Sequence, residues 1–200
     1  SAVQNEAELI KKYREISLVA DIDIAVDEIV NEVVIYDEYK SPVVLDFEEE
    51  AAKGYSQQTK DILKEEFQNV LQMLKFNQNA ADIVRTGYVD GRLAYHKVLS
   101  KDNPKLGVIE LRPIDSAKLK RIVEIKKEKD PKSQVEIIKG QEEYFIYSDK
   151  GFTGNDKLGL KIAVDSIAYC VMGIIDKNTN HVLSYLHKAI RPMNQLRMME

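Results

Sequence analysis

Apolar and polar positions in the first half of the chain recur with the period of a helix. Leu9, Ile10, Tyr13 and Ile16 predict a helix over 5–17, with Lys11, Lys12 and Arg14 turned to water. Ile22, Val26, Ile29, Val30 and Val33 predict a second, starting at Asp21 as N-cap with Asp23 in its first turn. The β-branched run Val33-Val34-Ile35-Tyr36 favours strand and ends that helix near Val33. After Pro42, Val43-Val44-Leu45 reads as a short strand ahead of the acidic run Glu48-Glu49-Glu50. Ser56 caps the strongest helix of this half, whose stripe is Ile62, Leu63, Phe67, Val70, Leu71 and Leu74, closed by Phe76. Asn77-Gln78-Asn79 reads as a corner, and 80–88 as a further helix. Gly87 costs that helix about 1 kcal/mol against Ala, which implies close packing or an early end.

From Gly91 the period changes to two. Leu93, Tyr95 and Lys97 alternate with Ala94, His96 and Val98, and after the turn Asp102-Asn103-Pro104 the stretch 107–111 is the partner strand. Pro113-Ile114-Asp115 starts a turn, 119–127 is another strand, and Asp130-Pro131-Lys132-Ser133 is a loop. Strands are predicted at 135–139 and 143–147 around a turn at Gly140, then at 158–162 and 167–172, with an exposed loop at 149–156 and a turn at 176–180. The stretch 182–200 is helical by pattern, with Leu183, Leu186, Ile190 and Leu196 as buried positions; Pro192 either kinks it or opens a second helix after Arg191. Helices first, a strand-rich middle and a closing helix make an α+β fold with a small antiparallel sheet or barrel, not βαβ repeats.

Composition narrows the function classes. The 200 residues carry 29 Lys and Arg against 33 Asp and Glu and are 44% hydrophobic, the profile of an ordinary soluble domain. Residues 1–100 hold 11 bases and 19 acids, and residues 101–200 hold 18 bases and 14 acids. No broad basic field suits non-specific nucleic-acid binding. A single cysteine, Cys170, excludes an intrachain disulfide framework and a Cys-rich zinc site; its apolar surroundings place it in the core. No stretch approaches the roughly 20 apolar residues of a membrane span. The start Ser1-Ala2-Val3-Gln4-Asn5-Glu6 has no signal-peptide character.

Catalytic chemistry finds little to stand on. His181 and His187 are six residues apart and share no helix face, and His96 is remote from both. Asp21, Asp23, Asp27 and Glu28 lack the alternation of a calcium loop and suit an acidic helix start. Gly151 and Gly154 lack the spacing and the closing Gly-Lys-Ser/Thr of a phosphate loop. Asp82, Asp90 and Asp115 have no partner by spacing for acid–base work. Ten tyrosines without tryptophan, among them Tyr88, Tyr95, Tyr144, Tyr147, Tyr169 and Tyr185, suit cores and subunit interfaces alike. An acidic first half and a basic second half permit head-to-tail assembly.

Several runs carry a resemblance. They are Tyr13-Arg14-Glu15, Ala25-Val26-Asp27-Glu28-Ile29-Val30-Asn31-Glu32, Phe76-Asn77-Gln78-Asn79-Ala80-Ala81-Asp82 and Tyr88-Val89-Asp90-Gly91-Arg92 through His96-Lys97. Gly107-Val108-Ile109-Glu110-Leu111-Arg112-Pro113-Ile114-Asp115 and Glu143-Tyr144-Phe145-Ile146-Tyr147 follow. The most specific is Leu186-His187-Lys188-Ala189-Ile190-Arg191-Pro192-Met193-Asn194-Gln195-Leu196-Arg197. Together they resemble the portal proteins of T4-like tailed bacteriophages, the head–tail connectors of the unique capsid vertex. The likeness covers nearly the whole chain and is weakest at 126–137 and 149–157.

The resemblance implies the outward-facing wing of that family: a mainly helical part at 1–90, a β-rich SH3-like part at 91–180, and a C-terminal helix at 181–200 leading toward a stem. It accounts for an end on Met198-Met199-Glu200 without cap or breaker, which reads as a cut inside a longer protein. It implies a dodecameric ring for the full-length chain and a monomer for this piece. The implied partners are the major capsid protein, the large subunit of terminase and the neck proteins. DNA contact falls mainly to parts outside this piece. No catalysis and no cofactor are implied, and the location is the virion portal vertex, assembled in the host cell at the inner membrane. Arg191, Asn194 and Arg197 are the expected wing–stem or subunit contacts, and Asp90 and Arg92 the expected anchors of the helix-to-strand junction. The rival reading is a free-standing nucleic-acid or peptide binding domain using a basic-aromatic face around Tyr95, Lys97, Lys118 and Lys120. An enzyme would need two or more of His96, His181, Asp90 and Asp115 to converge in a cleft.

Overall fold

The computed structural model describes residues 5–36, 41–47, 54–129, 136–152 and 158–199, without the side chains of 126–129, 136–139 and 197. The acidic run at 48–50, the loop at 130–133 and Gly154 lie outside the described residues.

Helix α1 (Glu6–Ser17) starts where Asn5 Oδ1 accepts the Ala7 N–H at 3.3 Å, with Glu6 and Glu8 on the positive end of the dipole. Helix α2 (Ala20–Val33) follows after two residues. Its N-cap is Val19, which offers no side-chain acceptor, so Asp21 is inside the first turn and not the cap. Asp23 and Asp27 instead grip Arg85, tying α2 to α4 (Phe76–Asp90). Ser56 caps α3 (Gln57–Met73) as expected, its Oγ accepting the Thr59 N–H at 3.2 Å. The break before α4 falls at Lys75, which adopts the left-handed conformation (φ 47°), and not at 77–79. Asn77 to Asn79 form the first turn of α4, and the Asn79 amide donates to the Leu74 carbonyl at 3.3 Å, satisfying the end of α3.

Two strand expectations in the first half fail. Neither 33–36 nor 43–45 pairs with a strand among the described residues, and Val44 is 71% exposed. β-propensity needs an adjoining edge to act on, and among the described residues neither stretch is paired with one. The stripe of α3 is also largely uncovered: Leu71 is buried, whereas Ile62, Leu63 and Val70 are exposed.

The strands are β1 (Arg92–Leu99), β2 (Val108–Ile114), β3 (Leu119–Lys129), β4 (Glu136–Tyr147), β5 (Leu160–Ala163), β6 (Ile167–Val171), β7 (Ile174–Ile175) and β8 (Val182–Leu183). They form antiparallel sheets in the orders β2-β1-β6 and β3-β4-β5, with a β7-β8 ribbon. Pro113 does not start a turn; it sits in β2 opposite Tyr95, on a sheet edge where its missing N–H costs no ladder bond. Gly140 is no turn either. It pairs with Lys126 inside one continuous β4, beside a register irregularity between Lys126 and Lys127. The last segment is not one helix: β8 and a 3₁₀ stretch (Tyr185–Ala189) precede α5 (Ile190–Arg197), whose first turn accommodates Pro192.

Of three apolar clusters, two include residues of α1. Leu9 and Tyr13 pack with Val26, Val30, Val89 and Leu186 in the helical cluster. Ala7 packs with Ile122, Tyr144, Ile146 and Phe152 on one face of the second sheet. Ala94, Leu119, Phe145 and Ile167 join the two sheets. The result is a mixed α+β fold of N-terminal helices, small antiparallel sheets and a C-terminal helix. Leu196 is exposed, and so is Cys170, contrary to both core expectations. Cys170 lies in edge strand β6, where alternate side chains leave the core. Among the described residues no helix is long and apolar enough to cross a membrane.

Candidate functional site

Polar residues of the fold converge where α4 ends and β1 begins. Gly91 makes the turn with φ 75°, a conformation open to glycine, and its carbonyl accepts the N–H groups of Met172 (2.9 Å) and Gly173 (2.7 Å). Gly87, one turn earlier, leaves room for Met172: a Cβ there would stand 2.1 Å from its sulfur. Close packing is therefore the reason for the glycine in α4.

Asp90 is 1% exposed at the C-terminal end of α4, where the helix dipole disfavours an anion. Its charge is matched by Arg14, which donates Nε to Oδ1 at 2.9 Å and Nη2 to Oδ2 at 2.7 Å. The same Nη2 reaches Asp115 Oδ1 at 2.7 Å. The Asp90 hydrogen bond is the main reason the guanidinium's already high pKa rises further. Burial pushes the Asp115 carboxyl up, but hydrogen bonds from Arg14 and the Ala117 N–H outweigh it, and the net shift is downward. One arginine thus bridges two carboxylates. Arg14 faces water only in part, its side chain being 40% exposed: it follows Ile10 by four residues and precedes Ser17 by three, both of them buried. That spacing was the available signal.

Arg92, 2% exposed, opens β1 and turns back under α1. It donates to the Val182 carbonyl, meets Glu6 Oε1 at 3.0 Å and reaches the Tyr169 hydroxyl at 3.4 Å. Glu6 also accepts the Val182 N–H at 3.0 Å, so the Glu6–Arg92 pair clamps β8 to α1 from both backbone groups. Ser184, fully buried, donates to the Tyr88 carbonyl at 2.9 Å and accepts from the Leu186 N–H at 3.0 Å. Tyr13 meets His187 Nδ1 at 2.7 Å, and burial pushes the phenol up to about 12. Tyr88 and Tyr185 stack at 5.5 Å. Tertiary pairings made by Glu6, Tyr13, Ser184 and His187 left no mark in local spacing.

These contacts join α1, α4, β1 and β8. Asp90 and Asp115, two of the four candidate residues, converge in one groove, where the Arg14 guanidinium contacts both; His96 and His181 do not line it. No three metal-capable side chains converge among the described residues. Tyr95 lines the groove beside Asp115, and Lys120 lines a separate cleft beside β6.

Residues 6–200 match the family described as Bacteriophage T4-like portal protein (Gp20). The chain belongs to that family. It is 32% identical over 203 residues to the portal protein of Vibrio phage KVP40, covering 96% of this chain and 38% of that protein. It is 28% identical over 200 residues to the portal protein of Salmonella phage ViI, covering 94% and 35%. The chain therefore spans under two-fifths of the length of these relatives.

Within this portal-family chain, the run from Leu186 to Arg197 divides in two. Leu186 is buried and His187 bonds to Tyr13, whereas Arg191 and Asn194 on α5 are exposed and make no side-chain hydrogen bond among the described residues. The side chain of Arg197 lies outside the described residues.

Proposed function

We propose that this chain is the wing of a portal ring, a structural and non-catalytic part of the unique capsid vertex. The carrying observation is the family match over residues 6–200. In this reading the full-length protein forms a dodecamer that starts capsid assembly, docks the large subunit of terminase, passes DNA and joins the neck proteins. Contact with DNA falls mainly to regions outside this chain. Residues 1–90, 91–180 and 181–200 serve as helical part, β-rich part and link toward the stem.

Asp90 and Arg92 act in this reading as junction anchors, supported by their burial and by the clamps from Arg14 and Glu6. Arg191, Asn194 and Arg197 serve as wing–stem or subunit contacts. The exposure of Arg191 and Asn194 supports that role.

Light scattering tests the proposal. The 200-residue chain is expected to be monomeric, and the same chain within a polypeptide of the relatives' full length to form a ring of twelve. Monomers in both cases refute the assembly reading.

A further inference from the structure

Strands β3 and β6 are both sheet edges: among the described residues β3 pairs only with β4, and β6 only with β1. A cleft of about 570 Å3 runs between them. Lys120 and Arg121 both line it. Val123, and Gln141 of the neighbouring β4, line it on the same face as Arg121, while Lys120 belongs to the other face, so the cleft spans one face of the second sheet and reaches the backbone edge of β3. Tyr169 and Val171 of β6 form the facing wall, and Asn5 lies at the inner end. Asn5 is 7% exposed, yet its Nδ2 has no hydrogen-bond partner among the described residues. Buried donors are normally satisfied, and an incoming backbone carbonyl would do so here. Two unpaired edges flanking one cleft form a template for an added strand.

The chain carries a segment with strand character that pairs with no strand among the described residues. Val43, Val44 and Leu45 are exposed, and Phe47 is held at α3, under Lys60 and Lys64. Helix α3 packs against β2, the opposite edge of the sheet from β6. Donor segment and acceptor cleft therefore lie at opposite edges of one sheet, a head-to-tail arrangement between copies. Charge agrees with this. The donor runs on into Glu48-Glu49-Glu50, whereas Lys120 and Arg121 of β3 line the cleft against one acid, Glu6.

We propose that residues 43–47 of one copy add as a strand to β3 in the cleft of the next copy. The inference rests on the ring reading, since it requires neighbouring copies held side by side. Mixed disulfide trapping in the full-length protein tests it, with Cys170→Ser as background. Copies bearing Val44→Cys are mixed with copies bearing Val123→Cys, or Ile125→Cys as a second register; all three positions are exposed. The mixture is expected to give cross-linked dimers several-fold above either variant alone. Rings by light scattering without mixed cross-links overturn the proposal and leave the ring reading standing. Cross-links without rings sustain the strand contact and overturn the ring reading. Absence of both overturns both.

A labelled synthetic peptide of residues 41–50 gives an independent readout against the full-length protein. Its Val44→Pro form, which lacks one backbone donor, is expected to bind at least tenfold more weakly. Equal binding of the two peptides overturns strand addition.

Discussion

Replacing Arg14 by alanine is the sharpest test of the junction. The change leaves Asp90, whose side chain is 2% exposed, without its cation at the unfavourable end of α4. Breaking a buried pair in this way costs about 3–5 kcal/mol. The Arg14 side chain is itself 40% exposed, so water reaches the vacated site and lowers the cost to about 2–4 kcal/mol. With a urea slope of about 2 kcal/mol per molar, the unfolding midpoint falls by about 1–2 M. Asp90→Asn in the same background completes a double-mutant cycle, with an expected coupling above about 1.5 kcal/mol. Asp115→Asn removes only the exposed partner and is expected to cost less than about 1 kcal/mol. The Asp115 pKa is depressed in the folded chain, so its contribution is present above the unfolded value near pH 4 and is lost as pH falls through the folded value. A loss below about 1 kcal/mol for Arg14→Ala, or additivity in the cycle, refutes the argument that one buried carboxylate organises the junction.

Arg92→Lys keeps the charge but cannot serve Val182, Glu6 and Tyr169 together, and calorimetry should find a loss of about 3 kcal/mol or more. Ser184→Ala strips the Tyr88 carbonyl and the Leu186 N–H of their partner, an expected cost of about 1–2 kcal/mol by urea unfolding. Gly91→Ala puts a side chain at φ 75° and a Cβ 3.0 Å from the Leu183 carbonyl oxygen. A loss of about 1–3 kcal/mol is expected in the same assay. The Tyr13 phenol has its pKa raised to about 12, so its contribution is complete below pH 10 and is lost as pH rises from there through 12. Tyr13→Phe should flatten that alkaline fall in a pH series of melting temperatures.

Sequence periodicity by itself determined most of what is local. The stripe Leu9, Ile10, Tyr13 and Ile16, the Ser56 cap and the alternation after Gly91 specify helices and strands through contacts between near neighbours, and the α+β class follows from their order. The long run ending in Leu186 to Arg197 carried the family, though no physical rule required it. Tertiary structure decided the rest. Val43-Val44-Leu45 has strand propensity without an adjoining edge, Gly140 is absorbed into a strand by pairing with Lys126, and Cys170 is exposed because β6 is an edge. The site itself belongs to this second class. Arg14 and Asp90 are 76 residues apart and Glu6 and Val182 are 176 apart. Charge pairs and hydrogen bonds over such separations depend on where packing brings their backbones, and the packing of α1 into two apolar clusters is what brings these together.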